Sequence, residues 1–133
     1  MRILAVDTST EACAVALTQG EQLLGEITLG HGQTHARFLM QAVHDLFSLT
    51  GTALNDVQGF VVGRGPGSFT GLRIGISTVK GLAMAAGKPL VGISSLSVLA
   101  HQASGKQVLV CPMLDARRKE VYWTLYRIEK DGP

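Results

Sequence analysis

The feature that most constrains this chain is a glycine-rich run, Gly63-Arg64-Gly65-Pro66-Gly67-Ser68-Phe69-Thr70-Gly71-Leu72-Arg73-Ile74-Gly75. It lies between the apolar stretch Phe60-Val61-Val62 and a long helix-like segment, so it reads as strand, tight turn and helix. Glycine supplies backbone conformations that side chains forbid, and a helix N-terminus presents unpaired N–H groups. The turn therefore suits either an anion or a second backbone that approaches closely. Motif spacing removes the familiar phosphate loops. A Walker loop needs Gly-Lys-Ser/Thr, whereas Leu72 follows Gly71 and the next lysine is Lys80. The dinucleotide fingerprint would put its third glycine on Thr70, and Gly71 comes one residue late. A nucleophile elbow needs glycines where Ser68 is flanked by Pro66 and Thr70, so a hydrolase built on Ser68 lacks both the turn and a placed base.

The remainder of the chain can bury a core around that turn. Its 133 residues are 46% hydrophobic and 17% charged, which fits one small globular unit. No apolar run approaches the ~20 residues of a membrane span, and Asp7 interrupts the N-terminus too early for a signal peptide. A cytoplasmic location without membrane contact follows as an expectation. Cys13 and Cys111 stand alone in apolar segments and read as free, buried thiols. Twelve basic against ten acidic residues is no nucleic-acid footprint. The cluster Arg117-Arg118-Lys119 reads as a solvated turn between strands.

Along the chain, apolar runs and turn residues predict a buried strand at 3–6 and further strands at 12–17 and 22–29, forming an antiparallel meander. A helix over 34–50 closed by Gly51, a strand over 59–63, and a helix over 70–86 stopped by Gly87 follow. A strand at 89–93 then leads to a short helix capped by Ser94 or Ser95 and running to about 103. Ser104-Gly105-Lys106 reads as a linker. Beyond it, strands over 108–114 and 121–128 flank a turn at 115–119. Laying Leu4-Ala5-Val6-Asp7 over Pro112-Met113-Leu114-Asp115 aligns two strands that each end in an aspartate before a turn and a second strand. Two lobes that both open this way are the architecture of actin, hexokinase and Hsp70. The expected organisation is a first lobe at 1–105 and the truncated start of a second at 106–133. The fold class is α/β: an actin-like (ribonuclease H-like) lobe with a mixed sheet, the antiparallel meander at its start, and flanking helices.

Three constellations bear on function. Asp7-Thr8-Ser9-Thr10 occupies the place where actin-like nucleotidases wrap a turn around ATP phosphates, the aspartate holding a metal-bound water. The competing reading is an aspartate that closes an Asx turn with its own side chain. His31 and His35 have a spacing that binds metal on one helix face, but His31 stands between Gly30 and Gly32 with no further ligand close by. We read them as a loop histidine and a helix-start histidine, with no metal site.

The helices carry the third constellation. Ala36, Phe38, Leu39, Met40, Ala42, Val43, Leu46, Phe47 and Leu49 span an arc of roughly 200°, twice the ~100° stripe of a one-sided surface helix. Such an arc fits a helix wedged between this sheet and a second lobe, or one with a strip left for another protein. Gly71, Gly75 and Gly81 each cost ~1 kcal/mol relative to alanine inside a helix, so close approach must offset them. Gly71, Gly75 and Thr78 form a smooth face for another helix, while Leu72, Ile76, Val79 and Ala83 face a core. Packing of the smooth face on the chain's own sheet is the competing reading.

The opening Ile3-Leu4-Ala5-Val6-Asp7-Thr8-Ser9-Thr10, the block from Arg64 to Gly75 and Asp115-Ala116-Arg117 with Glu120-Val121-Tyr122 together resemble the bacterial TsaB (YeaZ) family. The resemblance runs the whole length of the chain. It implies a non-catalytic scaffold in tRNA threonylcarbamoyladenosine modification, one that pairs with a TsaD-like transferase and is joined by a TsaE-like ATPase. It further implies a homodimer when alone, tRNA contact only through the partner, and no catalytic residue. On this reading Phe38, Leu39, Ala42, Leu46, Gly71, Gly75 and Thr78 form the partner interface. Arg64, Gly65, Pro66, Gly67, Ser68, Phe69, Thr70 and Arg73 lie near the partner or a nucleotide. Asp7, Thr8 and Ser9 would form a weak nucleotide site, with ATP or ADP and Mg²⁺ at a complex interface as the cofactor the family allows. The rival from another class is an actin-like small-molecule kinase or ATPase using Asp7 and Ser9 at a phosphate site.

Overall fold

Apolar runs bounded by turn residues build the first three strands, β1 (Arg2–Asp7), β2 (Cys13–Gln19) and β3 (Gln22–Leu29), and in β1 and β2 burial alternates along the run. The computed structural model describes residues 1–30, 35–103 and 108–128, the side chains of 35 and 36 excepted. Leu4, Val6, Cys13, Val15 and Leu17 all point to one face of the sheet, each no more than 3% exposed. β1 and β2 run antiparallel with Leu4 opposite Leu17 and Val6 opposite Val15. β3 continues antiparallel to β2, so the expected meander is present.

Two further strands, β4 (Gly59–Gly63) and β5 (Leu90–Ile93), extend the sheet on the other side of β1. Both new pairings are parallel, and the strand order is β3-β2-β1-β4-β5. Parallel neighbours need a crossover, and helices supply it. α1 (His35–Thr50) lies against β2 and β3, α2 (Phe69–Ala86) against β1, β4 and β5, and the two helices touch each other. Leu39, Ala42, Val43 and Leu46 from α1 join Val79 and Ala83 from α2, and Phe60 and Val62 from β4, in one core. α2 ends at Gly87, whose left-handed φ of 62° lets its N–H donate to the carbonyls of Ala83 and Met84. The short α3 (Ser95–His101) follows; Ser94 is its N-cap residue but its side chain makes no cap bond.

The end of the chain departs from expectation. Each strand foreseen there is split: β6 (Val108–Val110) pairs with β9 (Tyr126–Ile128), and β7 (Met113–Arg117) pairs with β8 (Glu120–Trp123). Pro112 lies at the break and has no N–H to give a ladder. The turn is also tighter than 115–119, with Arg118 and Lys119 between the strands. Arg117, Arg118 and Lys119 take left-handed φ values of 65°, 53° and 66°. The foreseen linker and lobe boundary at 104–106 lie outside the described residues. Among the described residues, no helix is long and apolar enough to cross a membrane.

Candidate functional site

The turn after β1 and the loop before α2 meet at the C-terminal edge of the sheet. Asp7 ends β1 and its Oδ1 accepts the backbone N–H of Ser9 at 2.7 Å, an Asx turn. Gly63 ends the neighbouring β4, and a Cβ there would come within 2.7 Å of the same Asp7 oxygen. Thr8 is 1% exposed and Ser9 2%. The Thr8 hydroxyl donates to the carbonyl of Gly71 at 2.8 Å, and the Ser9 carbonyl accepts the N–H of Ser68 at 2.7 Å. Gly67 and Gly75 complete the contact. A Cβ at 67 would overlap the Ser9 carbonyl, and one at 75 the Thr8 hydroxyl oxygen. The glycine run is thus a place of close backbone approach, the second of the two readings open to it.

The loop is anchored on its other side as well. The Arg64 N–H donates to the Ile93 carbonyl at 2.8 Å, and the Gly65 carbonyl accepts the Ser95 N–H at 3.0 Å. Gly65 has a φ of 91°, which L side chains rarely adopt, and is itself buried. Pro66, Gly67 and Ser68 are half-buried. Ser68 is the N-cap of α2, its Oγ accepting the Gly71 N–H at 3.3 Å, so its hydroxyl works as a helix cap. Arg64, Phe69, Thr70 and Arg73 face outward. The Arg73 guanidinium lies 5.5 Å from the Phe69 ring centroid, and Phe69 itself is 73% exposed.

Most of the expected partner face is occupied by the chain itself. Leu39, Ala42 and Leu46 are at most 3% exposed and fill the core, and Gly71 and Gly75 are buried. They belong to the inner face of α1 and α2 because the sheet and the β1–β2 turn lie directly beneath them. These five are buried in the folded chain and offer another protein no surface. Phe38, 42% exposed, and the half-buried Thr78 remain at the surface. α2 turns Gly71, Gly75, Val79 and Ala83 inward together, whereas Leu72 and Ile76 are half-buried. Reading by residue character missed Leu49 and Met84, the most exposed large apolar side chains on the two helices at 81% and 82%. Their signal was position: the apolar arc of α1 is wider than one sheet can cover, and Leu49 lies at its edge.

Asp115 repeats the geometry of Asp7. Its Oδ1 accepts the N–H of Arg117 at 2.7 Å, the same two-residue Asx bond, here inside β7 and not after the strand's last residue. Asp7 and Asp115 thus share one local hydrogen-bond pattern. His31 and the side chain of His35 lie outside what is described, while the backbone of His35 opens α1 as expected of a helix-start histidine; among the described residues no three His, Cys, Asp or Glu side chains gather as metal ligands. Of the two free cysteines Cys13 is buried, as expected, while Cys111 is half-exposed.

Residues 28–132 match the family described as TsaD, tRNA N6-adenosine threonylcarbamoyltransferase. The tRNA threonylcarbamoyladenosine biosynthesis protein TsaB of Escherichia coli (strain K12) is 42% identical over 134 residues, covering 99% of this chain and 58% of its own. YeaZ from Pseudomonas aeruginosa superposes with a TM-score of 0.89 at 41% identity, over 98% of this chain and 62% of its own. A ROK hexokinase from Thermus thermophilus shares the fold alone, with a TM-score of 0.50 at 17% identity over 75% of this chain and 36% of its own. The chain thus spans 58% and 62% of the length of these two similar proteins. The fold is α/β of the actin-like, ribonuclease H-like class.

Proposed function

We propose, for a chain that belongs to the TsaD family and within it to the TsaB (YeaZ) branch, a role as a non-catalytic scaffold in tRNA threonylcarbamoyladenosine modification. It binds and supports a TsaD-type transferase, and a TsaE-like ATPase joins the pair. Alone it self-associates, it meets tRNA only through its partner, and it works in the cytoplasm. Residues 1–105 form its first lobe and residues from 106 onward begin a second, a division supported by the matching Asx bonds of Asp7 and Asp115.

The observation that carries this reading is the apolar surplus on the outer sides of α1 and α2. Phe38 and Leu49 are eleven residues apart, which returns them to within about 20° of one another around the helix. They make a stripe along α1, 42% and 81% exposed, beside a core that needs neither. On α2, Phe69 and Met84 are 73% and 82% exposed. Large apolar groups on adjoining helices, with Arg73 laid on the Phe69 ring, suit a helix-to-helix interface with an aromatic anchor. Phe38 and Thr78 are retained from the original set; Leu49, Phe69 and Met84 replace the buried residues in it.

The test is light scattering on the full-length protein, alone and mixed with its TsaD-like partner. A stable one-to-one complex supports the scaffold. Failure to form one, together with ATP turnover by the isolated protein, overturns it and favours the kinase or ATPase.

A further inference from the structure

Actin-like nucleotidases place ATP phosphates at the turn that follows their first strand, and this turn can be compared with what a phosphate requires. A phosphate needs outward N–H groups, free hydroxyls and a cation to offset its charge. Here the Ser9 N–H is held by Asp7 Oδ1 at 2.7 Å, and the Ala12 N–H by Thr10 Oγ1 at 3.2 Å. The Thr8 hydroxyl is committed to the Gly71 carbonyl at 2.8 Å. The Ser9 hydroxyl has no partner, but the residue is 2% exposed and Gly67 lies on it so closely that a Cβ would come within 2.8 Å of the Ser9 Cβ. The Ser9 Oγ itself has less than 1 Å² exposed, so a phosphate oxygen cannot reach it. At the start of α2, the Ser68 N–H goes to Ser9 and the Gly71 N–H to Ser68 Oγ. Glu11 adds a second carboxylate beside Asp7, and residues 7–12 hold no lysine or arginine to offset a phosphate's charge. The residues present do not fit the group.

We infer that the 7–12 turn is a clasp: it grips the glycine loop through Thr8 and Ser9, sets the start of α2, and takes no nucleotide phosphate. Thr8 holds Gly71 from below while Ser9 holds Ser68, two points on the first turn of α2 separated by three residues. Rotation of the helix about its axis would break both bonds and drive Thr8 into Gly75. The clasp therefore fixes which side of α2 faces outward, the side that carries the exposed Phe69 and Arg73. This inference stands on the turn alone and does not depend on the scaffold reading.

Amide hydrogen exchange and nucleotide titration of the full-length protein test it together. Thr8→Val should speed exchange at the Ser68 amide and the first turn of α2 by about tenfold or more, with the amides around Val79 and Ala83 unaffected. Thr8→Ser, which keeps the hydroxyl, should restore slow exchange. On the unmodified protein, millimolar Mg·ATP should give no saturable heat and no shift of the amides at 8–12. Unchanged exchange at Ser68 in Thr8→Val overturns the clasp. Saturable Mg·ATP binding that shifts those amides overturns it independently, whether or not the valine variant folds.

Discussion

Gly75 on α2 lies directly against Thr8 at the end of β1, so that a Cβ at position 75 would occupy the space of the Thr8 hydroxyl oxygen. That oxygen cannot swing away cheaply, because it is buried and donates to Gly71 at 2.8 Å. A small residue that looks from the sequence like an invitation to another helix is the fitting surface for the chain's own first strand.

Gly75→Ala should therefore destabilise the protein by about 1–3 kcal/mol, overpacking outweighing the helix propensity gained. Urea unfolding measures it. In a Thr8→Ala background the nearest remaining Thr8 atom, the Cβ, lies at 3.4 Å, so adding the methyl at 75 should be close to neutral there. A double-mutant coupling of about 1 kcal/mol or more is expected, and strict additivity would show that the two side chains do not collide.

Gly81 is the opposite case. It is exposed in the middle of α2 and a Cβ there meets nothing within 4 Å. Gly81→Ala should stabilise the protein by about 0.8–1.0 kcal/mol through helix propensity alone, visible as a raised urea midpoint at unchanged slope. A loss of stability would mean that something packs on this side of the helix.

Burial pushes the Cys13 thiol up from its ordinary value of 9.0, and the nearby Asp7 carboxylate pushes it further. The folded chain then keeps this proton to higher pH than the unfolded chain does. Its contribution to stability is fully present below about pH 9 and is lost as pH rises through the folded-state value. Urea midpoints followed from neutral to alkaline pH should fall less steeply in Cys13→Ala than in the unmodified protein. Equal slopes would refute the assignment. With the folded protein near neutral pH, thiol reagents should label Cys111 and spare Cys13 until unfolding.

Removing the outward aromatic or aliphatic groups should separate binding from folding. Phe69→Ala and Leu49→Ala, both far from the core, should change unfolding free energy by no more than about 0.5 kcal/mol. At least one of them should weaken the complex with the TsaD-like partner by about 2 kcal/mol or more, as hot-spot residues do. Calorimetric titration measures the affinity, and wild-type affinity in both variants would place the interface elsewhere.

The elements from β1 to α3 were legible in the sequence because their signals are local. Ile3 to Val6 and Ala12 to Leu17 are short apolar runs bounded by turn residues, as buried strands are, and Gly87 marks the end of α2 with the left-handed residue that a helix stop favours. The split of the last strands was legible in principle from Pro112, but the apolar runs on both sides of it outweighed one residue. The Asx turn at Asp7 was one of two readings and could not be preferred without the positions of Ser68 and Gly71.

By itself, the sequence determined the order of the first five strands and three helices, the glycine loop and the family resemblance. Each of these rests on residues within a few positions of one another. The tertiary structure alone decided which way the small and apolar faces turn. Thr8 and Gly71 are 63 residues apart, and their hydrogen bond exists once β1, β4 and α2 have come together. Leu39, Ala42, Leu46, Gly71 and Gly75 look the same in a helical projection whether a sheet or a partner covers them. Closing the sheet beneath α1 and α2 buries these five and leaves Phe38, Leu49, Phe69 and Met84 outside, because one flat layer can cover one side of a helix.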